Sequence, residues 1–149
     1  MSVYTNDALV EGVRRDDVLA WLADPLNHQK ILEGAWDGMA GKGPGEFELE
    51  CKSPPRPRTI QYRFSHVDEE HGGRRVHVAL EGRHVNGKLQ YSLRTMKPST
   101  NTLVTLHVDL YGNGYFLLLA EKLGLRERLD KAFAAMVENA RREILAAKK

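Results

Sequence analysis

The sequence predicts an α+β fold in which an antiparallel strand meander is followed by one long C-terminal helix. Three observations carry this expectation. From Glu46 to Leu110 apolar and polar residues alternate with a period of two, in runs broken by turn residues. From about Tyr115 to Ala147 the period becomes helical, with Leu125, Leu129, Phe133, Met136, Val137, Ala140 and Ile144 recurring at spacings of three and four. The chain has 149 residues, the size of a single domain, and a chain of that length buries roughly 68–70% of its unfolded surface, enough for an unaided core.

The first thirteen residues carry few helix signals, and Leu9 to Val13 reads as an edge strand. Asp16 or Asp17 then caps a helix with Val18, Leu19, Trp21 and Leu22 on its apolar side. Asp24-Pro25 ends that helix, because the residue before proline avoids the α region. A second short helix spans about Leu26 to Glu33, and Trp36 to Gly45 is a glycine-rich loop or broken strand. Phe47, Leu49 and Cys51 alternate with glutamates, and Ser53-Pro54-Pro55-Arg56-Pro57 breaks their strand. Ile60, Tyr62, Phe64 and His66 share the inward parity of the next run. Asp68 to Gly73 is a turn, and Val76, Val78, Leu80, Gly82 and His84 share the inward parity after it. Asn86-Gly87 is a strong hairpin signal. It sets His84 against Leu89, Gly82 against Tyr91, Leu80 against Leu93 and Val78 against Thr95, a register that separates mainly apolar from mainly polar positions. Lys97 to Asn101 turns the chain into a strand carrying Val104, Leu106, Val108 and Leu110, and Gly112-Asn113-Gly114 closes the sheet. In the last helix Glu127 with Lys131 and Glu138 with Arg142 stand at i,i+4, and Gly124 marks a kink or break.

Composition narrows the function. With 22 Lys and Arg against 20 Asp and Glu the net charge is +2, too mild to imply nucleic acid. Arg63, Arg75, Arg83, Lys88 and Arg94 take the outward parity with few aromatics between them, the pattern of a solvated sheet face rather than a stacking platform. One cysteine forms no internal disulfide, which fits a reducing compartment and hence a cytoplasmic location. No apolar run exceeds six residues, the length of Tyr115 to Ala120, far from the ~20 of a membrane span. No leader pattern is read at the start of the chain. No nucleic acid and no integral membrane insertion are expected among the partners. Oligomeric state stays open.

Three stretches carry a resemblance: Asp17-Val18-Leu19-Ala20-Trp21-Leu22-Ala23-Asp24-Pro25, the loop Gly41-Lys42-Gly43-Pro44-Gly45, and Gly112-Asn113-Gly114 before the long helix. With the order of elements over nearly the whole chain, they are similar to the START-like superfamily (SRPBCC), which holds the birch-pollen allergens and the polyketide cyclase/dehydrase-like proteins. The resemblance implies one START-like domain over residues 1–149 with a helix-grip fold. In that fold a curved antiparallel sheet of six to seven strands wraps a long C-terminal helix around an apolar cavity, with two short helices after the first strand. It implies binding of lipids, sterols, quinones or polyketides, and catalysis in a minority of members. The superfamily shares no catalytic residue set, so no catalytic residue, cofactor or metal is carried over.

The inward parity nominates Ile60, Tyr62, Phe64, Val78, Leu80, Tyr91, Leu93, Leu106 and Val108 from the sheet as cavity walls. Phe133, Met136 and Val137 face them from the helix, Trp36 stands beside the glycine-rich loop, and His84 is a polar handle. Residue type alone favours a solid core. Two features favour a space: Gly82 faces inward without a side chain, and Tyr62, Tyr91 and Thr95 bring hydroxyls to the inward face. His66 and His84 share that parity but stand roughly 26 Å apart at ~3.3 Å per residue, so they share no zinc ion. His28, His71, His77 and His107 read as solvated. Cys51 reads as a buried hydrophobe, and the Gly41–Gly45 loop lacks the residues of a phosphate cradle. The leading reading is binding or transport of a small hydrophobic ligand, such as a lipid, quinone, sterol or polyketide. A polyketide cyclase- or dehydratase-like enzyme would use the same cavity, with His84 or a tyrosine moving protons. A co-chaperone-like interaction module is the third reading.

Overall fold

A computed structural model describes every residue except 53–57, 70–73, 98–99, 113–114 and 149. The chain runs β1 (Ser2–Val10), α1 (Arg15–Ala23), a 3-10 turn (Pro25–Asn27), α2 (His28–Leu32), β2 (Gly38–Gly43), β3 (Glu46–Cys51), β4 (Arg58–Asp68), β5 (Arg75–Gly82), β6 (Val85–Met96), β7 (Asn101–Gly112), α3 (Phe116–Ala120), a π turn (Glu121–Leu125) and α4 (Arg126–Lys148). The strands form one antiparallel sheet in the order β1-β7-β6-β5-β4-β3-β2. This is the α+β arrangement that the sequence predicts, in the helix-grip form that the resemblance implies. The expected break at Ser53–Pro57, His71 in its turn, and Asn113-Gly114 lie outside the described residues. Among the described residues no helix is long and apolar enough to cross a membrane.

Alternation buries one face of each strand: Phe47, Leu49 and Cys51 on β3, Val76, Val78 and Leu80 on β5, Leu89, Tyr91 and Leu93 on β6, and Val104, Leu106, Val108 and Leu110 on β7. The covering is shared. α4 packs on β1, β7 and α2, α1 packs on β5, β6 and β7, and α3 packs on β7. Asn139, buried on α4, donates through Nδ2 to the carbonyls of Ile31 (2.9 Å) and Glu33 (3.0 Å) and so accepts the end of α2 onto the long helix. Thr102 donates to the Val13 carbonyl at 2.8 Å and ties the turn after β1 to β7.

Several local expectations are corrected. The first strand is Ser2–Val10 rather than Leu9–Val13, because it pairs along its length with β7, from Ser2 opposite Leu110 to Val10 opposite Thr102. Asp16 and Asp17 lie in the first turn of α1 and do not cap it; Arg14 flanks the helix without a side-chain bond. Asn86-Gly87 is not a turn. Arg83 and His84 link Gly82 to Val85, and Val78 faces Leu89 while Leu80 faces Gly87. Gly87 serves the strand instead: a Cβ there would stand 2.6 Å from the Asp109 carbonyl oxygen on β7. The observed register differs from the expected one by an even number of residues, so the same residues face inward in both. On β4 a bulge between Phe64 and His66 turns His66 outward, opposite His77, where the rings stack at 4.5 Å. Val67 takes the inward place opposite Val76. Glu138 pairs with Arg141 at 2.5 Å, while Arg142 donates to Asn139 at 3.0 Å.

The helical tail breaks where expected. Gly124 has φ 121° and ψ −9° inside the π turn, a conformation that side-chain-bearing residues rarely adopt. Gly124→Ala therefore stores about 1–3 kcal/mol of backbone strain. Thermal unfolding followed by circular dichroism should show a lower Tm, by about 2–4 °C per kcal/mol for a chain of this size; an unchanged Tm would show that the break does not depend on glycine.

Candidate functional site

At one end of the sheet the start of β4, the β5–β6 turn and the end of β7 meet α3, the π turn and the first turn of α4. They enclose a cleft of about 260 Å³. Its apolar walls are Ile60, Val85, Leu110, Leu117, Leu125 and Leu129, each buried by the fold. Gly82 lines the same space, and a Cβ there would stand 3.0 Å from the Val85 carbonyl oxygen and 3.4 Å from that of Thr59, so the position is kept bare by the backbone around it. The polar lining comes from Arg58, Thr59, Arg83 and His84. The His84 ring lies almost parallel to the Phe116 ring of α3, with centroids 5.0 Å apart. Beyond Phe116 the outer side of this segment exposes Tyr115, Leu118, Leu119 and Leu123.

The middle of the interior is filled. Tyr62, Tyr91, Leu89, Leu106 and Phe133 are among the largest fully buried side chains. A directed hydrogen-bond chain runs through them. The Leu22 carbonyl can only accept, so His28 Nε2 donates to it at 2.7 Å. Burial pushes the His28 imidazole below its ordinary value of 6.5, with the Leu22 bond and the Asp24 carboxylate opposing, so the ring is neutral and Nδ1 is an acceptor. Tyr62 donates its only hydroxyl proton to Nδ1 at 2.6 Å and accepts from the Tyr91 hydroxyl at 2.9 Å. Burial raises both phenols above their ordinary value. His28, read from sequence as solvated, is 0% exposed, because α2 turns it down onto β4 and β6.

Of the residues nominated from sequence, Ile60 and His84 line the cleft. Tyr62, Val78, Leu80, Tyr91, Leu93, Leu106, Val108, Phe133, Met136 and Val137 are buried in the packed core. Trp36 is buried against Phe133, its ring 5.8 Å away, and half-buried Phe64 meets His28 edge-on at 5.2 Å. Arg58 was missed by sequence reasoning. It continues the inward parity of Ile60 and Tyr62 and faces Cys51 across the sheet, so parity alone marked it. Leu125 and Leu129 were legible as part of a helical stripe but not as cleft walls, and Leu117 only as part of the apolar run Tyr115 to Ala120. Glu121 was also missed. This buried carboxylate accepts from Ser2 Oγ at 2.5 Å and from the Tyr4 hydroxyl, with Arg126 at 3.5 Å, and so ties β1 to the π turn. Burial raises the Cys51 thiol above its ordinary value, which keeps it protonated and unreactive.

No family model matches the chain. No curated protein matches it either. Solved structures do. The Zhui aromatase/cyclase from Streptomyces sp. R1128 is 14% identical with a TM-score of 0.69, over 99% of this chain and 96% of that one. Norcoclaurine synthase from Thalictrum flavum, a point mutant with a transition-state analogue, is 17% identical with a TM-score of 0.64, over 99% and 96%. A protein of Thermus thermophilus is 12% identical with a TM-score of 0.68, over 99% and 100%. At these identities the likeness is one of fold: the chain shares the helix-grip fold of these structures.

The buried chain has a pH signature. Because the folded His28 value lies below the unfolded one, the unfolded state takes up the proton first as pH falls, so stability is complete above about 6.5 and declines below it. Urea unfolding from about pH 7 to about pH 5 should show this slope, and His28→Gln should flatten it. Tyr62→Phe removes the donor to a buried Nδ1 and should cost about 1–3 kcal/mol. An unchanged slope in His28→Gln would show that the loss arises elsewhere.

Proposed function

We propose that the chain binds a small hydrophobic molecule in the cleft between α3, the π turn, α4 and the ends of β4, β5 and β7. The observation that supports this most directly is the contrast within one interior. The half under α1 and α2 is filled by Tyr62, Tyr91 and His28, whereas the half under α3 keeps about 260 Å³ behind leucine and isoleucine walls. That volume is just under the ~300 Å³ at which small-molecule pockets begin, and the lining has their character: apolar walls with a few polar groups. It suits a compact ring system or the end of a longer apolar chain. The structural neighbours named above include an aromatase/cyclase and norcoclaurine synthase, whose names concern small organic molecules.

A second reading, cyclase-type catalysis in the same cleft, is favoured by His84, the one imidazole among the cleft-lining residues. It would act as proton donor or acceptor to a bound molecule. Tyr62 and Tyr91 have no part in this reading, since both are buried away from the cleft and bonded to each other.

Binding only to the folded state raises Tm by mass action, by about 2.7 kcal/mol of stability at a ligand concentration a hundred times Kd. A panel of lipids, sterols, quinones and polyketides should contain members that raise Tm. Leu129→Phe, which adds volume to the cleft wall, should abolish the shift. Native mass spectrometry of freshly purified protein should show a co-purified apolar molecule. A panel without any shift, together with protein free of bound mass, would overturn the reading.

A further inference from the structure

We infer that the cleft selects an amphiphile with an anionic head, a carboxylate, sulfonate or phosphate, held by Arg58 and Arg83 while its apolar body rests on the leucine walls. The inference deepens the proposed function and rests on it. Arg58 occupies an inward parity position of β4, on the same face as Ile60 and Tyr62, where a charged side chain is costly unless paired. It is partly buried, and its Nε–H is shielded from solvent with no acceptor among the described residues. The other buried polar side chains of the interior are bonded: His28, Tyr62, Tyr91, Thr102, Glu121 and Asn139 each have a partner. Trp36 Nε1 is the one further exception among the described residues, and Trp36 is not among the cleft-lining residues.

The charge around the cleft is one-sided. Two arginines and a histidine line it, and no carboxylate does. Asp37, which lies with Arg58 in the field of Cys51, is already committed: it accepts from the Lys52 amide at 2.6 Å and pairs with Arg128 at 3.4 Å. Glu121, on the π turn, is likewise taken by Ser2, Tyr4 and Arg126. The segment before Arg58, residues 53–57, contains Arg56 and no acidic residue. Arg83 is exposed in the two-residue β5–β6 turn, at the rim of the same space. A guanidinium presents a planar fork that matches the two oxygens of a carboxylate or phosphate. An anion seated between Arg58 and Arg83 would balance the charge that Arg58 carries on the inward face, and the molecule's apolar part would fill the space behind it. A neutral hydrocarbon would fill that space and leave both guanidinium groups without a counter-ion.

The test uses two dyes that share one ring system, anilinonaphthalene sulfonate and its neutral parent phenylnaphthylamine, titrated into the whole chain by fluorescence. The sulfonate should bind at least about tenfold more tightly than the neutral dye. Arg58→Gln and Arg83→Gln should each bring that ratio toward one. Arg83 is exposed, so its variant remains informative should Arg58→Gln fail to fold; Arg58→Lys, which keeps the charge but loses the fork, is the second check on β4. Leu129→Phe should weaken both dyes, which distinguishes the cleft from the exposed apolar side of α3. Octanoate and octyl phosphate should displace the sulfonate dye, and octanol should not. A ratio near one in the parent protein, or a ratio that neither arginine variant changes, overturns the head-group assignment and leaves the cleft as an apolar site. Dye binding that is insensitive to Leu129→Phe overturns the cleft itself.

Discussion

The constraint on which this structure depends is one of coverage. Seven strands at ~4.8 Å spacing make a sheet about 30 Å wide, whereas a helix with its side chains is only about 10–12 Å across. A single long helix cannot hide one whole apolar face. α4 therefore lies on β1 and β7, and three other pieces finish the work: α1 over β5 to β7, α2 joined to α4 through Asn139, and α3 over the end of β7. The cover over the end of β7 is short: α3 has five residues and is followed by a π turn with a glycine at φ 121°. The cleft behind Leu117, Leu125 and Leu129 lies under this short cover.

The polar groups of the interior follow the same division. Where the cover is thick, the donors and acceptors described above are matched apart from Trp36 Nε1, and the Leu22–His28–Tyr62–Tyr91 chain has only one proton arrangement that satisfies every member. Such a network is worth most when complete, because a buried group left without its partner costs more than the bond contributes. Where the cover is thin, an inward arginine is left with an unmet donor beside an apolar cleft. The first region specifies the fold. The second is the region in which the proposed ligand would sit.

Much of the architecture was legible in the sequence, for physical reasons that also explain the failures. Side-chain alternation is a property of each strand alone, so the inward sets of β3, β5, β6 and β7 could be read without knowing their partners. Register is a property of pairs. The Asn86-Gly87 signal placed the β5–β6 turn three residues late, and face sorting could not expose the error because an even slip preserves the faces. The bulge at Ser65 is likewise invisible to a period-two reading and reversed the side assigned to His66. His28 was misjudged because a five-residue helix gives no period from which to decide a face. Gly124 was read correctly, since its meaning lies in its own backbone. Arg58 was legible by parity two residues before Ile60, but a charged residue beside a proline-rich break reads as strand end rather than cavity wall.

The tyrosines decide how much of the fold is open to a ligand. From sequence their hydroxyls on the inward face argued for a polar-lined space, since each required a partner. The structure supplies those partners from the protein itself: Tyr91 donates to Tyr62, and Tyr62 to a histidine buried for that purpose. The same two rings then act as a plug, and the hollow contracts to the end of the sheet that they do not reach. Gly82 and His84, at the inner end of β5 and in the turn beyond it, lie on the open side of that plug. The helix-grip fold allows a cavity anywhere between sheet and helix, so the fold alone does not locate the site. In this chain its place is set by which inward positions carry large aromatic side chains with hydrogen-bond partners, and which carry glycine, leucine and arginine.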